Sequence, residues 1–298
     1  MRRGTFENYS GFAKISLLAL VFIFFTLFCA IILKLEVLSF SGMKEGNLLR
    51  LTLFTQDLII FISTPLLTQF FLWKDSTKKS LQLRTPNLII LALGVMAIIS
   101  ISPLIDVLST WNQGLQLPES LRSIEDWMIN TEKAAEVATN TLLNTDSWGG
   151  FVMNIIIIAI MAGIGEELMF RGVIQKILIG WTKNIHLGIL YTAIIFSAIH
   201  FQFYGFVPRM ILGMVLGYLY IWSKSLWVPV IAHAINNALT VTFTPNTFNK
   251  GNELVKIVSN NQNSIGYIVA GIFVFTVCMW RIWKYYQIQS ALSVLDEL

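Results

Sequence analysis

The sequence predicts an all-α fold: a polytopic membrane helix bundle of about eight transmembrane helices around a polar intramembrane cavity. Hydrophobic residues make up 55% of the 298 residues and charged residues only 13%, and the mean hydropathy is +0.67. A water-soluble domain of this length has too small a core to bury so many apolar side chains. Segments close to the roughly 20 apolar residues that a helix needs to cross a bilayer recur along the chain.

The predicted spans follow one another in order, and most are joined by short connections. The first span is too long for the apolar part of a signal peptide, so we expect it to remain in the mature protein. Gly205 and Pro208 mark a break between the fifth and sixth spans. The predicted spans are residues 15–33, 51–73, 87–105, 150–172, 186–207, 208–222, 226–244 and 264–283.

Basic residues indicate the orientation of the helices. With the N-terminus in the cytoplasm, most of the 21 basic residues fall in cytoplasmic segments, which favours an integral protein of the bacterial inner (cell) membrane with both termini cytoplasmic. The net charge of +4 does not indicate nucleic acid binding, because the basic residues are scattered and form no stripe. The cytoplasmic set is Arg2, Arg3, Lys14, Lys74, Lys78, Lys79, Arg84, Arg171, Lys176, Lys183, Lys224, Arg281 and Lys284.

The connection from Asp106 to Gly149 is acidic, and its apolar residues recur at helical spacing. It predicts an amphipathic helix or helical pair packed over the outer mouth of the bundle. Because the sequence has no internal repeat, we expect one membrane domain. Its three parts are the N-terminal helices with the outer segment (1–147), a core that carries the polar motifs (148–245), and an outer loop with the C-terminal transmembrane helix (246–298).

Two adjacent acids, Glu166 and Glu167, lie inside the fourth span and are followed by Arg171. An ionisable residue at bilayer depth costs at least a few kcal/mol, so it usually has a partner or a function. Glu167 and Arg171 are four residues apart and can form an ion pair, whereas Glu166 points about 100° away from that pair. Gly163 and Gly165 let another backbone or a substrate approach closely. A packing network between helices is the alternative interpretation.

Two of the three histidines also lie in apolar spans. Phe196 and His200 share one helix face, and His233 and Asn237 share another. One histidine on an apolar helix is commonly a satisfied hydrogen-bonding residue, but a glutamate, two histidines and an asparagine on three spans are what a polar chamber requires. His186, at the start of a span, is predicted to be interfacial without a chemical role.

Such a chamber can hydrolyse a peptide bond without a covalent nucleophile. A desolvated carboxylate can take a proton from water, one imidazole can orient that water, and a second imidazole with an amide can stabilise the oxyanion. The same groups permit a metal site: Glu166, His200 and His233 can form a zinc (Zn²⁺) site with an open position for water. The sequence contains no H-E-x-x-H helix, and both interpretations stay open.

Three motifs occur in order on successive apolar segments. They resemble the signatures of the CAAX protease and bacteriocin-processing family, intramembrane endopeptidases also called Abi proteins, over about residues 148–245. The family is described both as metalloproteases and as glutamate proteases, so the resemblance leaves the cofactor open. The motifs are Glu166-Glu167-x-x-x-Arg171, Phe196-x-x-x-His200 and His233-x-x-x-Asn237.

The resemblance implies an eight-helix intramembrane protease whose cavity admits a protein or peptide substrate from the membrane or the cytoplasmic side. Glu166 would activate water together with His200. His233 and Asn237 would form the oxyanion site. The residues that would support these motifs structurally are Glu167, Arg171 and Phe196.

Membrane transport is the main alternative from another functional class, because buried Glu, His, Arg and Asn also build proton relays and substrate sites. A carrier typically has paired broken helices in its two halves, whereas we expect every buried titratable motif of this chain to follow residue 150. A proteolytically inactive binding scaffold is a further alternative. The expected partners are a peptide substrate and the lipid bilayer, without nucleic acid.

Overall fold

The computed structural model describes residues 2–145, 147–243 and 265–295, and the regular structure within these ranges is helical. The all-α membrane bundle predicted from the sequence is therefore confirmed. The outer loop predicted before the C-terminal helix, residues 246–263, lies outside the described residues.

We number the α-helices of the described ranges in chain order. The second and sixth contain π-helical stretches, Asp57–Ser63 in the second and Ile155–Met161 and Phe170–Ile174 in the sixth. The helices are α1 (Gly11–Ser39), α2 (Glu45–Leu72), α3 (Thr77–Ser80), α4 (Leu88–Gln113), α5 (Arg122–Leu143), α6 (Trp148–Thr182), α7 (Ile185–Ala198), α8 (Phe206–Ser223), α9 (Trp227–Phe243) and α10 (Ile265–Leu295).

Each predicted span corresponds to one helix, but not all of these helices are long. Within the described ranges, six are long and apolar enough to cross a membrane, while α7 has 14 residues and α9 has 17. The prediction of a fifth span through residue 207 is wrong at its end, because α7 stops at Ala198. The chain then turns, and Phe201 adopts a left-handed φ of 53° that interrupts a helix.

Polar residues cap several helices at the positions where apolar spans begin. The cap side chain of each accepts a hydrogen bond from a backbone N–H of the first turn, which otherwise has no partner in the helix. This local chemistry explains why the helices start where they do. The caps are Ser10 of α1, Asn87 of α4, Ser147 of α6 and Asn184 of α7.

Two glycines bring α6 into direct contact with α9 and with α2. A Cβ atom at Gly163 would stand 3.2 Å from the backbone nitrogen of Ala234 in α9. A Cβ atom at Gly165 would stand 2.8 Å from the Cβ of Phe61 in α2. Helices that approach this closely place their polar side chains within hydrogen-bonding reach of one another.

The helix predicted in the acidic connection is α5, and its last turn is tied to the bundle. The Leu142 carbonyl accepts hydrogen bonds from Arg50 Nη2 at 2.8 Å and from Asn154 Nδ2 at 2.7 Å. Arg50 Nε also donates to Asn154 Oδ1 at 2.7 Å. These bonds satisfy the end of α5 and fasten it to α2 and α6.

Substitution of Gly163 by valine tests the α6–α9 contact. Valine must displace the Ala234 backbone, so we expect the free energy of unfolding to fall by about 1–3 kcal/mol, measured by thermal or denaturant unfolding in detergent. Gly180→Val is the matched control, because a Cβ atom at Gly180, on the same helix, would meet no heavy atom within 4 Å. An equal loss in both variants would contradict the contact.

Candidate active site

Glu167 and Arg171 form the predicted ion pair, and the pair is completely buried. Arg171 Nη1 donates to Glu167 Oε1 at 2.6 Å, and both side chains are 0% exposed. Arg171 Nη2 donates to the Gly213 carbonyl of α8 at 2.9 Å. On the other side, His233 of α9 has its Nδ1 2.8 Å from the same Glu167 oxygen. This polar network joins α6, α8 and α9, and its charges are tolerated because they are paired.

The ring of Phe196 in α7 packs against Arg171 and against the two histidines of the site. The Arg171 guanidinium lies 5.0 Å from the centroid of its ring, a cation–π distance. The Phe196 centroid is also 5.1 Å from the His200 ring and 5.9 Å from the His233 ring. Phe196 therefore separates and supports the two histidines, while its edge-on contact with Phe170, at 5.0 Å, holds its own ring.

The contact between α6 and α8 is repeated one helical turn later. Gln175 Nε2 donates to the Gly217 carbonyl at 3.1 Å, in the same way that Arg171 donates to Gly213. A Cβ at Gly217 would approach Gln175 Oε1 to 2.8 Å, so glycine keeps this bond possible. These small residues of α8 pack against neighbours within the same chain.

Glu166 points away from the ion pair, as its position on the helix predicts. Its side chain is 15% exposed, and its Oε2 lies 3.8 Å from His233 Nε2. The His233 ring therefore lies between the two glutamates, with one nitrogen turned to each. Glu166 keeps access to open space that Glu167 lacks.

His200 lies in the turn after α7 rather than on a helix as predicted. Its Nδ1 is 2.7 Å from the Phe196 carbonyl oxygen. A carbonyl only accepts hydrogen bonds, so Nδ1 carries the proton and donates it. In the neutral imidazole, Nε2 is then a free acceptor.

Asn237 is the polar residue one turn after His233 on α9. Its Nδ2 donates to the Ile158 carbonyl of α6 at 3.2 Å, and its Oδ1 accepts from Asn236 Nδ2 at 3.3 Å. An amide nitrogen carries two hydrogens, so one donor remains available for a ligand.

Glu166, His200 and Asn237 line one cavity of about 540 Å³. Its other walls come from α2, α5, α6 and α9, and from Gln202 in the turn after α7. His233 is buried behind Glu166 and does not line the cavity. Three of the four predicted catalytic side chains thus share a space, and the fourth contacts one of them from behind.

The structure adds two charged residues that the motifs did not indicate. Asp57 of α2 lines the same cavity and interacts electrostatically with Glu166. Arg209 of α8 also interacts with Glu166, while its Nη2 donates to Gln202 Oε1 at 2.6 Å. The expectation that every buried titratable motif follows residue 150 did not anticipate a single acid of α2 in this cavity. Asp57 could have been identified from the sequence, because an acid inside an apolar span usually has a partner or a function.

The donors predicted for zinc do not converge in this arrangement. Among the described residues, no group of three His, Cys, Asp or Glu side chains could hold a metal ion. The Nδ1 atoms of His233 and His200 face Glu167 and a carbonyl oxygen, which is compatible with metal binding through Nε2, so the misfit rests on the separation of the donors. The residues present, as positioned here, do not fit a two-histidine, one-carboxylate site.

Arg171→Met tests whether the network stabilises the bundle. It leaves Glu167 buried without its guanidinium partner, so we expect a loss of about 3–5 kcal/mol in the free energy of unfolding. Adding Glu167→Gln to Arg171→Met removes the uncompensated charge and should recover part of that loss. Unfolding of the two single variants and the double variant in one detergent gives the coupling free energy between Glu167 and Arg171. If the losses in the free energy of unfolding simply add, the two residues are not paired.

The segment that contains all three motifs is similar to known proteins. Residues 148–239 match the family model for the "Type II CAAX prenyl endopeptidase Rce1-like" proteins. "Uncharacterized protein YpbD" of Bacillus subtilis (strain 168) is 30% identical over 92 residues, 30% of this chain and 44% of that protein. "Putative membrane peptidase YdiL" of the same organism is 28% identical over 119 residues, 40% of this chain and 47% of that protein.

The chain spans less than half the length of either of these relatives. No solved structure gives a significant match. The apolar helices and the family match agree that this is an integral membrane protein. The resemblance seen in the three motifs is confirmed, and residues 148–239 of the chain are similar to the Rce1-like CAAX prenyl endopeptidases.

Proposed function

We propose that the protein is an intramembrane endopeptidase that hydrolyses a peptide bond of a protein or peptide substrate with activated water. The observation that carries this proposal is the shared cavity of Glu166, His200 and Asn237. All three residues fall within the segment that matches the endopeptidase family. A cavity of about 540 Å³ is within the usual range of binding sites.

Glu166 is the general base in this proposal. Glu167 is unsuited to that role, because its carboxylate is already shared by Arg171 and His233. Glu166 takes one proton from water, and His200 Nε2 accepts a hydrogen bond from the other, which orients the oxygen toward the substrate carbonyl carbon. After attack, Glu166 returns the proton to the amide nitrogen. The C–N bond then breaks and releases a carboxyl group and an amine.

Asn237 stabilises the oxyanion that forms on the carbonyl oxygen. Its second Nδ2 hydrogen is the available donor, and such preorganised donors act strongly where water is scarce. His233 donates to Glu167 through Nδ1, so it can also donate from Nε2 only as an imidazolium. We propose that His233 joins Asn237 at the oxyanion; because its ring lies behind Glu166, outside the cavity lining, this role requires the Glu166 side chain to move aside.

We also propose that residues 148–245 form the catalytic core and that both termini face the cytoplasm of a bacterial cell. Arg84 Nε donates to the Lys224 carbonyl, so the α2–α4 connection and the α8–α9 connection lie at the same end of the bundle. Lys78, Lys79, Arg84 and Lys224 surround one cavity. Basic residues gathered at one end of a bundle are typical of the cytoplasmic side.

Replacing the proposed base tests the reaction. In liposomes containing the full chain, we expect Glu166→Gln and His200→Ala to lower hydrolysis of fluorogenic peptides by about 10²–10⁴-fold with folding retained. His186→Ala is the matched control, because His186 is exposed and contacts Tyr218 Oη at 2.7 Å, away from the cavity residues. Full activity in Glu166→Gln would overturn the proposal.

Chelation separates the water-activating glutamate from the zinc alternative. Because the proposed steps use carboxylate, imidazole and amide groups alone, we expect the same hydrolysis rate after a strong chelator has removed all metal, as verified by elemental analysis. A loss of hydrolysis that added Zn²⁺ restores would favour the zinc-dependent protease and require the predicted donors to rearrange.

A further inference from the structure

One face of α2 lines the cavity, and it carries a single charge. Leu49, Leu53, Asp57 and Phe61 are spaced four residues apart, and all four side chains border the cavity. Asp57 is the first residue of the π-helical stretch of α2. The α2 residues that border the cavity are therefore apolar except for Asp57 and the neutral amide of Gln56.

Asp57 lies in the cavity without a counter-ion. Glu166 and Asp57 are the only charged residues that line the cavity in the described part of the chain, and they interact with each other. Within the same ranges Asp57 has neither an ion-pair partner nor a side-chain hydrogen bond. When both are ionised, two acids that share a poorly hydrated space create a negative potential, and a cation that enters the space stabilises that state.

Within the described ranges, none of the neighbouring arginines forms an ion pair with Asp57. Arg50 donates to Asn154, Asn47 and the Leu142 carbonyl. Arg171 pairs with Glu167, whereas Arg209 donates to the neutral Gln202 and its charge interacts with Glu166. Because Asp57 has no cationic partner among the described residues, its carboxylate is available to pair with a cation on a molecule that enters the cavity.

We propose that Asp57 is a specificity-determining residue that selects peptides with a cationic group close to the scissile bond. The group is an ammonium or guanidinium, from a lysine or arginine side chain or from a free N-terminus. This inference rests on the proposed peptidase function. In this proposal Glu166 activates water and Asp57 binds the cation, so the two carboxylates of the cavity have different roles. The charge match discriminates against peptides that leave Asp57 unpaired.

Matched peptides test this selection. Pairs of quenched fluorescent peptides differ only by lysine or the neutral norleucine at each position near the cleavage site, and a second pair has a free or an acetylated N-terminus. For the wild-type chain in liposomes, we expect kcat/KM to be about 10-fold to 100-fold higher for the cationic peptide, the range of a charged hydrogen bond. The lysine pair and the N-terminal pair distinguish the two sources of the cation.

In Asp57→Asn the preference should disappear, because kcat/KM should fall more for the cationic peptide than for the neutral peptide until the two values are equal. Asp106→Asn, on α4 and outside the cavity lining, should keep the preference. Equal losses on both peptides in Asp57→Asn, or no charge preference in the wild-type chain, would overturn the inference while leaving the peptidase proposal intact.

Binding measured without cleavage keeps this test separate from the reaction. Fluorescence anisotropy of the same labelled peptides on Glu166→Gln should show tighter binding of the cationic peptide, and Asp57→Asn in that background should abolish the difference. A preference that survives Asp57→Asn would assign cation binding to another group and overturn the inference. Failure of the wild-type chain to cleave any peptide counts against the proposed function, and binding then still decides the role of Asp57.

Discussion

The bundle depends on one buried ion pair between Glu167 and Arg171. Both side chains are completely inaccessible, so each charge must be compensated inside the protein. Arg171 reaches the Gly213 carbonyl and Glu167 reaches His233. The pair thereby fixes α8 and α9 against α6, and the positions of the site residues on these helices follow from it.

The two adjacent glutamates of α6 lie in different surroundings, one in the buried ion-pair network and the other at the cavity. Adjacent positions on α6 point in different directions, so Glu167 enters the closed network while Glu166 reaches the cavity. Glycines at 163 and 165 make this geometry possible by letting α9 and α2 come close. The site consequently has one carboxylate that borders the cavity beside one that is enclosed and bonded through a single oxygen to Arg171 and His233.

Sequence periodicity anticipated the spans and the ion pair, because both are local properties of one helix. It misplaced the end of α7, where Phe201 enters the left-handed region and puts His200 in a turn. It also overlooked Asp57, because one acid hardly changes the apolar character of the second predicted span. That Asp57 borders the same cavity as Glu166 depends on how α2 packs beside α6.

The sequence by itself determined the membrane environment, the order of the helices and the polar motifs, because composition and spacing are written along the chain. Only the tertiary structure decided which polar groups share a space. His233 lies between two glutamates, Asn237 opens to the cavity, and a carboxylate from α2 joins them. These relations join residues far apart in sequence, and they arise from close helix contacts that no pattern within a single segment encodes.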